Sequence, residues 1–330
     1  MVTEMPGMVH ERPEFSVVIH SLNRKALLER AMSTLADGTD PSSMEIIVSD
    51  SGSTDGSREL VRECYPHVRL VELQEDRGLA AGRNAGMLLA QGAFVLMMDE
   101  DVVITREQIT LLGDLMRAHP EAGILACCKV DERGEALYQH HVPAPSSLNL
   151  LFFVMHEWSL QEGLRALKRF LNVGEGRPHE RKEVVEIPFI GGALLLARSD
   201  AIRQVGPWDE NIFFYGEDFD WCYRFRRLGW KILYFPQIKV RAFRGTNSVR
   251  TRRASLIAMR SRRYLFFKYL GKRYLPFYYA LALLGLIPRT SYYLVQHVLS
   301  RDAGDITLGR WLWYSIRTIL GAPSALALKG

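Results

Sequence analysis

The sequence predicts an α/β protein with a mostly parallel central sheet flanked by helices, continued by a basic, aromatic helical extension. Three observations carry this. Short apolar runs alternate with helically spaced stretches over the first 130 residues, polar residues gather where those runs end, and the charge balance reverses about two-thirds of the way along. Strand–helix alternation is the pattern of a doubly wound sheet, and such sheets bind ligands beyond the carboxyl ends of their strands.

The elements follow in order. Residues 15–20 (FSVVIH), 45–50 (EIIVSD), 68–72, 93–98 and 123–130 read as strands. Between them, 24–35, 57–64, 79–90 and 106–119 have helical spacing, the last stopping before Pro120. Residues 131–186 are less regular, with a helical reading over 148–171 and a loop over 175–182. Order returns with an apolar strand at 193–197, a helix at 199–205, a helix running through Arg227 and a strand at 231–235. Polar residues cluster at the strand ends: Ser21 and Asn23, Asp50 with Asp55, and Asp99-Glu100-Asp101. We divide the chain into a tail (1–14), a main α/β domain (15–250) and the helical extension (251–330).

The acidic triplet is the most informative of these. Six apolar residues, 93–98, run straight into three carboxylates, which repel one another unless a cation neutralises them. Hard oxygen ligands at a strand end suit Mg²⁺ or Mn²⁺, which could carry a diphosphate. A solvated acidic loop is the plain alternative. Residues 50–56 (DSGSTDG) follow a strand and precede a helix, so Asp50 can accept hydrogen bonds from a base or ribose, although Asp and Gly also simply build turns. Residues 76–86 (DRGLAAGRNAG) place small residues at a helix start, with Arg83 and Asn84 in reach of a nucleobase or phosphate. Gly216-Glu217-Asp218 opens another helix; a carboxylate there serves as a general base for a hydroxyl nucleophile or caps the helix.

The net charge of +5 hides an asymmetry. Residues 221–301 contain 18 Lys or Arg and no Asp or Glu, whereas 1–220 carry 21 basic and 35 acidic side chains. The basic stretch calls for a negative partner or packs on the acidic domain. Residues 274–288 are uncharged, too short to span a bilayer but suited to its interface or to a buried hairpin. The first fourteen residues lack the apolar core of a signal peptide, so a cytoplasmic location is expected. The four cysteines show no C-x-x-C pairing, so free thiols are expected.

Taken together, FSVVIHSLNR, IIVSDSGSTDGS, DRGLAAGRNAG, FVLMMDEDV, IGGALLLAR and FYGEDFDWCYRFRRLGW, in this order, resemble the family 2 glycosyltransferases of the GT-A fold, in particular the rhamnosyltransferase-like branch. The resemblance covers about residues 15–270. It implies a nucleotide-sugar donor, with dTDP-rhamnose or a UDP-sugar favoured, a divalent metal, and inversion at the anomeric carbon. A glycan or polyprenyl-diphosphate-linked acceptor is expected, and the 18-to-0 charge count over 221–301 with the uncharged 274–288 stretch is expected to bring the protein to the cytoplasmic face of an anionic membrane, with no nucleic acid partner. By that similarity Asp50 matches the base-binding aspartate, Asp99 and Asp101 the metal- and diphosphate-binding pair, and Asp218 the catalytic base. Ser21, Asn23, Asp55, Arg83, Asn84 and Glu100 complete the expected donor site, and Gly191, Gly192, Trp208 and Glu217 the acceptor site. One departure stands out: residues 240–248 contain no His where many relatives have one, and Arg241 and Arg244 offer positive charge there instead. Two other readings remain, a nucleotidyltransferase with a similar acidic site and a non-catalytic scaffold binding anionic lipid or nucleic acid. Pyrophosphate release from a nucleoside triphosphate would favour the first, and absence of nucleotide-sugar hydrolysis the second.

Overall fold

The computed structural model describes residues 12–35, 43–137, 183–243, 252–280 and 307–320, with scattered positions between 282 and 295. The expected helix at 148–171, the loop at 175–182 and Arg244 lie outside the described residues.

Apolar runs become the centre of one nine-stranded sheet because they are buried on both faces. Strands β1 (Phe15–Ser21), β2 (Met44–Asp50), β3 (Arg69–Glu72) and β4 (Phe94–Asp99) pair in parallel in the order β3-β2-β1-β4. Helices α1 (Lys25–Leu35), α2 (Ser57–Cys64) and α3 (Leu79–Met87) make the crossovers. The sheet continues through β8 (Leu194–Arg198), β6 (Ala122–Val130), β9 (Lys231–Ala242) and the two-residue β5 (Val102–Val103), while β7 (Val185–Glu186) also pairs with β9.

Two features depart from the sequence reading. Strand β6 does not lie beside β4: β8, more than sixty residues later, inserts antiparallel between them. The sheet is therefore mixed, and β5, β7 and β8 run against the other six strands. Local pattern cannot reveal this, because a doubly buried apolar strand reads the same in either direction. Strand β9 also continues past Pro236, where the sequence reading ended it. The register with β6 jumps from Cys127–Phe235 to Cys128–Lys239, so Pro236 sits in a bulge where its missing N–H costs nothing.

Side chains alternate across the sheet. Val17 and Ile19 face a core closed by α1, α2 and α4 (Arg106–Ala118), whereas Val18 and Ile47 face one closed by α3, α5 (Ser199–Val205) and α6 (Glu217–Arg227). Leu265, from α7 (Arg252–Leu270), is fully buried in that second core. A third apolar cluster, including Phe266, Trp311 and Ile319, joins α7 to α8 (Leu308–Leu320). Among the described residues no helix is long and apolar enough to cross a membrane.

Candidate active site

The strand ends wire the site together. His20 at the end of β1 meets the Ser51 hydroxyl at 3.0 Å, and Ser51 N–H donates to the Ser21 carbonyl. Asp50, buried at the end of β2, accepts at Oδ1 from the amides of Gly52 and Ser53 and from Arg58 Nε at 2.6 Å. Its Oδ2 and the buried Ser21 hydroxyl have no hydrogen-bond partner among the described residues. Those unspent polar atoms lie where the sequence reading places the base and ribose.

Asp99 closes β4, its amide donating to the Ala193 carbonyl at 3.0 Å. Arg83, buried in α3, donates from Nη2 to Asp99 Oδ1 at 2.8 Å and lies 3.6 Å from Glu217 through Nη1. Small residues at 80–82 let α3 press against the sheet: a side chain at Gly82 would collide with His20, and one at Gly192 with Arg83. Burial pushes the Asp99 carboxyl up, but Arg83 outweighs it and holds the group below its usual range. At its neighbours the nearby cations do not outweigh burial. Burial and the adjacent Asp99 push Asp101 up to about 6 and Glu100 up to about 8, although Arg24 lies 3.4 Å from Glu100. Phe243 N–H at the end of β9 fixes the Asp101 carbonyl at 2.7 Å.

Across Arg83 stand the two carboxylates that open α6. The chain reaches them through left-handed backbone at Tyr215 (φ 64) and Gly216 (φ 111). Glu217 is buried, one oxygen unpartnered among the described residues, and pushed up to about 8 by burial and by Asp218. Asp218 is partly exposed and also raised, chiefly by burial. Its Oδ1 accepts from the Phe219 amide and its Oδ2 from the Gly192 amide at 3.4 Å. Gly192 thus touches Asp218 while the next residue, Ala193, holds Asp99: one loop and one arginine span both halves of the site.

Residues 16–185 match the family model of Glycosyl transferase family 2. The chain belongs to that family. It is 28% identical over 257 residues to the N-acetylglucosaminyl-diphospho-decaprenol L-rhamnosyltransferase of Mycobacterium tuberculosis, covering 72% of this chain and 79% of the relative. It is 37% identical over 135 residues to the validoxylamine A glucosyltransferase of Streptomyces hygroscopicus subsp. limoneus, a match over 38% of this chain and only 29% of that relative's length. Among solved structures, GalNAc-T7 with UDP, GalNAc and Mn²⁺ superposes with a TM-score of 0.53 at 17% identity, over 76% of this chain and 47% of that one. The mannosyltransferase PcManGT of Pyrobaculum calidifontis, in complex with GDP-Man and Mn²⁺, gives 0.50 at 17% identity over 94% and 86%. These likenesses show the GT-A fold.

Several residues expected at the site of this family 2 chain make contacts within the fold. Asn84 spends its amide on the backbone N–H and carbonyl of Trp208, at 2.9 Å each, and on Glu210. Trp208, expected at the acceptor, is 1% exposed, stacked on Trp221 at 4.1 Å with the Arg83 guanidinium over its ring. Both support Arg83 from behind. Asp55 caps two helices, accepting from the amides of Lys25 and Ser57, and Asn23 Oδ1 accepts from the Thr54 amide. Sequence reasoning missed His20, held neutral as burial pushes its pKa down to about 4, and Lys129 on β6, whose charge acts on Asp99 and Asp101. It also missed Arg58, whose i+8 spacing from Asp50 across a strand-to-helix turn is its only sequence signal.

Proposed function

We propose that this protein is an inverting glycosyltransferase that moves a sugar from a nucleotide-sugar donor to a hydroxyl of a glycan or lipid-linked saccharide. The observation that carries the reading is the 191–193 loop, whose consecutive residues hold Asp218 and Asp99 on either side of buried Arg83. Asp50 and the unspent Ser21 hydroxyl bind the nucleoside, and the donor diphosphate lies at Asp99 and Asp101.

These two carboxylates fit a divalent cation. They are hard oxygen donors, and Asp101 is raised by burial and by a neighbouring negative charge that a cation would relieve. Among the described residues no three acidic, His or Cys side chains form a ready-made metal cluster, so an ion here would have to complete its shell with water and phosphate oxygens. When bound, Mg²⁺ or Mn²⁺ would neutralise charge on the departing diphosphate.

Asp218 then takes the acceptor proton as the hydroxyl attacks the anomeric carbon from the face opposite the diphosphate. Its partial exposure gives the acceptor access, while Glu217 is buried against Arg83. The likeness to a rhamnosyltransferase whose name includes a diphospho-decaprenol supports a deoxyhexose donor and a polyprenyl-diphosphate-linked acceptor. The test is incubation with a panel of dTDP-, UDP- and GDP-sugars with Mn²⁺, following nucleotide diphosphate release. Release from at least one donor, accelerated by saccharide acceptor, is expected; no release from any overturns the reading.

A further inference from the structure

Seven of the twelve large hydrophobic side chains exposed among the described residues lie between 274 and 320. The other five are spread between 88 and 228, so the concentration in this segment calls for a partner. On α8 they form a stripe: Trp313, Ile316 and Leu320, three and four residues apart, project outward, while Trp311, Ser315 and Ile319 are buried. Tyr274 and Phe277 are exposed in the segment that follows α7.

Cations frame these side chains. The Arg317 guanidinium lies over the Trp313 ring at 4.6 Å and Arg273 over Tyr274 at 4.9 Å. Lys272 and Arg310 are exposed. No carboxylate occurs from 221 to 301 or within α8, although Asp302 and Asp305 precede α8 in the sequence. Exposed aromatic and aliphatic groups beside Arg and Lys on carboxylate-free elements match a bilayer interface with anionic headgroups.

The segment is also fastened to the catalytic helix. Lys268 Nζ on α7 donates to Asp209 at 2.6 Å and to fully buried Asp220 at 2.5 Å. Tyr269 OH donates to the same Asp220 oxygen, two residues beyond Asp218, and Ser261 Oγ to the Phe214 carbonyl. The α7–α8 cluster then carries the outward stripe.

We propose that the outer face of α8, with Tyr274 and Phe277, is a docking surface for an anionic lipid bilayer, held in a fixed orientation to α6. This rests on the proposed function only in that the membrane would carry the acceptor. The test is co-sedimentation of the full chain with vesicles of phosphatidylcholine alone or with phosphatidylglycerol, at low and high salt. Wild type should bind the phosphatidylglycerol vesicles, more weakly at high salt and weakly to phosphatidylcholine. The triple substitution Trp313→Ser, Ile316→Ser, Leu320→Ser should lower the partition at least about tenfold. Circular dichroism and donor hydrolysis, unchanged from wild type, establish that the variant is folded; should it misfold, Arg310→Glu with Lys272→Glu should weaken vesicle binding in the same direction. Wild type indifferent to phosphatidylglycerol overturns the proposal, as does a folded variant that sediments like wild type. Light scattering that shows a wild-type dimer broken by the triple substitution also overturns it, assigning the face to a second copy. Donor hydrolysis without vesicle binding would leave the transferase reading standing while this one fails.

Discussion

Asp218 and Glu217 are adjacent, but their surroundings give them different work. Glu217 faces Arg83 and is buried, whereas Asp218 reaches solvent and touches the Gly192 amide. Asp218→Asn should therefore lower kcat by at least about 10²-fold and leave donor affinity near wild type, measured by turnover and calorimetry. Both carboxyls are raised by burial, and only the ionised form can accept a proton. Activity should then rise with pH through a limb displaced upward from the ordinary carboxylate range, and Asp218→Asn should lose that limb in a pH–rate profile. The two glycines of the 191–193 loop separate sterically. A β-carbon at Gly191 meets Asp218 Oδ2 at an ordinary 3.7 Å, whereas one at Gly192 runs into the Arg83 guanidinium. Gly192→Ala should displace Arg83, lowering both melting temperature and donor affinity, while Gly191→Ala keeps the fold and melts near wild type.

Among the elements, α6 is pinned at both ends of its first turn, by Gly192 on one side and by α7 on the other. Lys268 answers two carboxylates at once, and Arg224 Nε reaches Asp220 at 2.8 Å. Lys268→Met leaves Asp209 and Asp220 with less positive charge in a largely buried place and should cost roughly 3 kcal/mol of stability in denaturant melts, the low end for a buried pair. Although burial opposes it, hydrogen bonds from Lys268, Asn211 and Tyr264 hold Asp209 down at about 2. A depressed carboxyl stabilises the fold above its unfolded pKa and loses that contribution as pH falls through the folded value. Wild-type stability should therefore fall between about pH 4 and pH 2, and the fall should be shallower in Lys268→Met, whose Asp209 is less depressed.

At the scale of the molecule, the sequence made the parallel half legible. Residues 57–64 and 199–205 form helices over the spans their spacing predicted, and Asp50, Asp99 and Asp218 stand at a strand end or helix start as expected. What stayed hidden was long-range. Strand β8 sits between β4 and β6 through pairings set by tertiary packing, and Arg83 joins Asp99 to Glu217, more than 110 residues further along the chain. Trp208 and Asn84 read as ligand contacts because their neighbours did; only the fold shows them bracing Arg83. The charge reversal was visible in the chain, but not that Lys268 spends part of it on Asp209 and Asp220. The central claim, a donor half at Asp99 and Asp101 distinct from a base at Asp218, is tested most directly by thermal stabilisation with nucleotide sugars and Mn²⁺. Wild type and Asp218→Asn should gain several degrees with the same donor, and Asp101→Ala should gain little while melting as a folded protein without ligand. Equal stabilisation of Asp101→Ala, or none of the wild type by any nucleotide sugar, would contradict it.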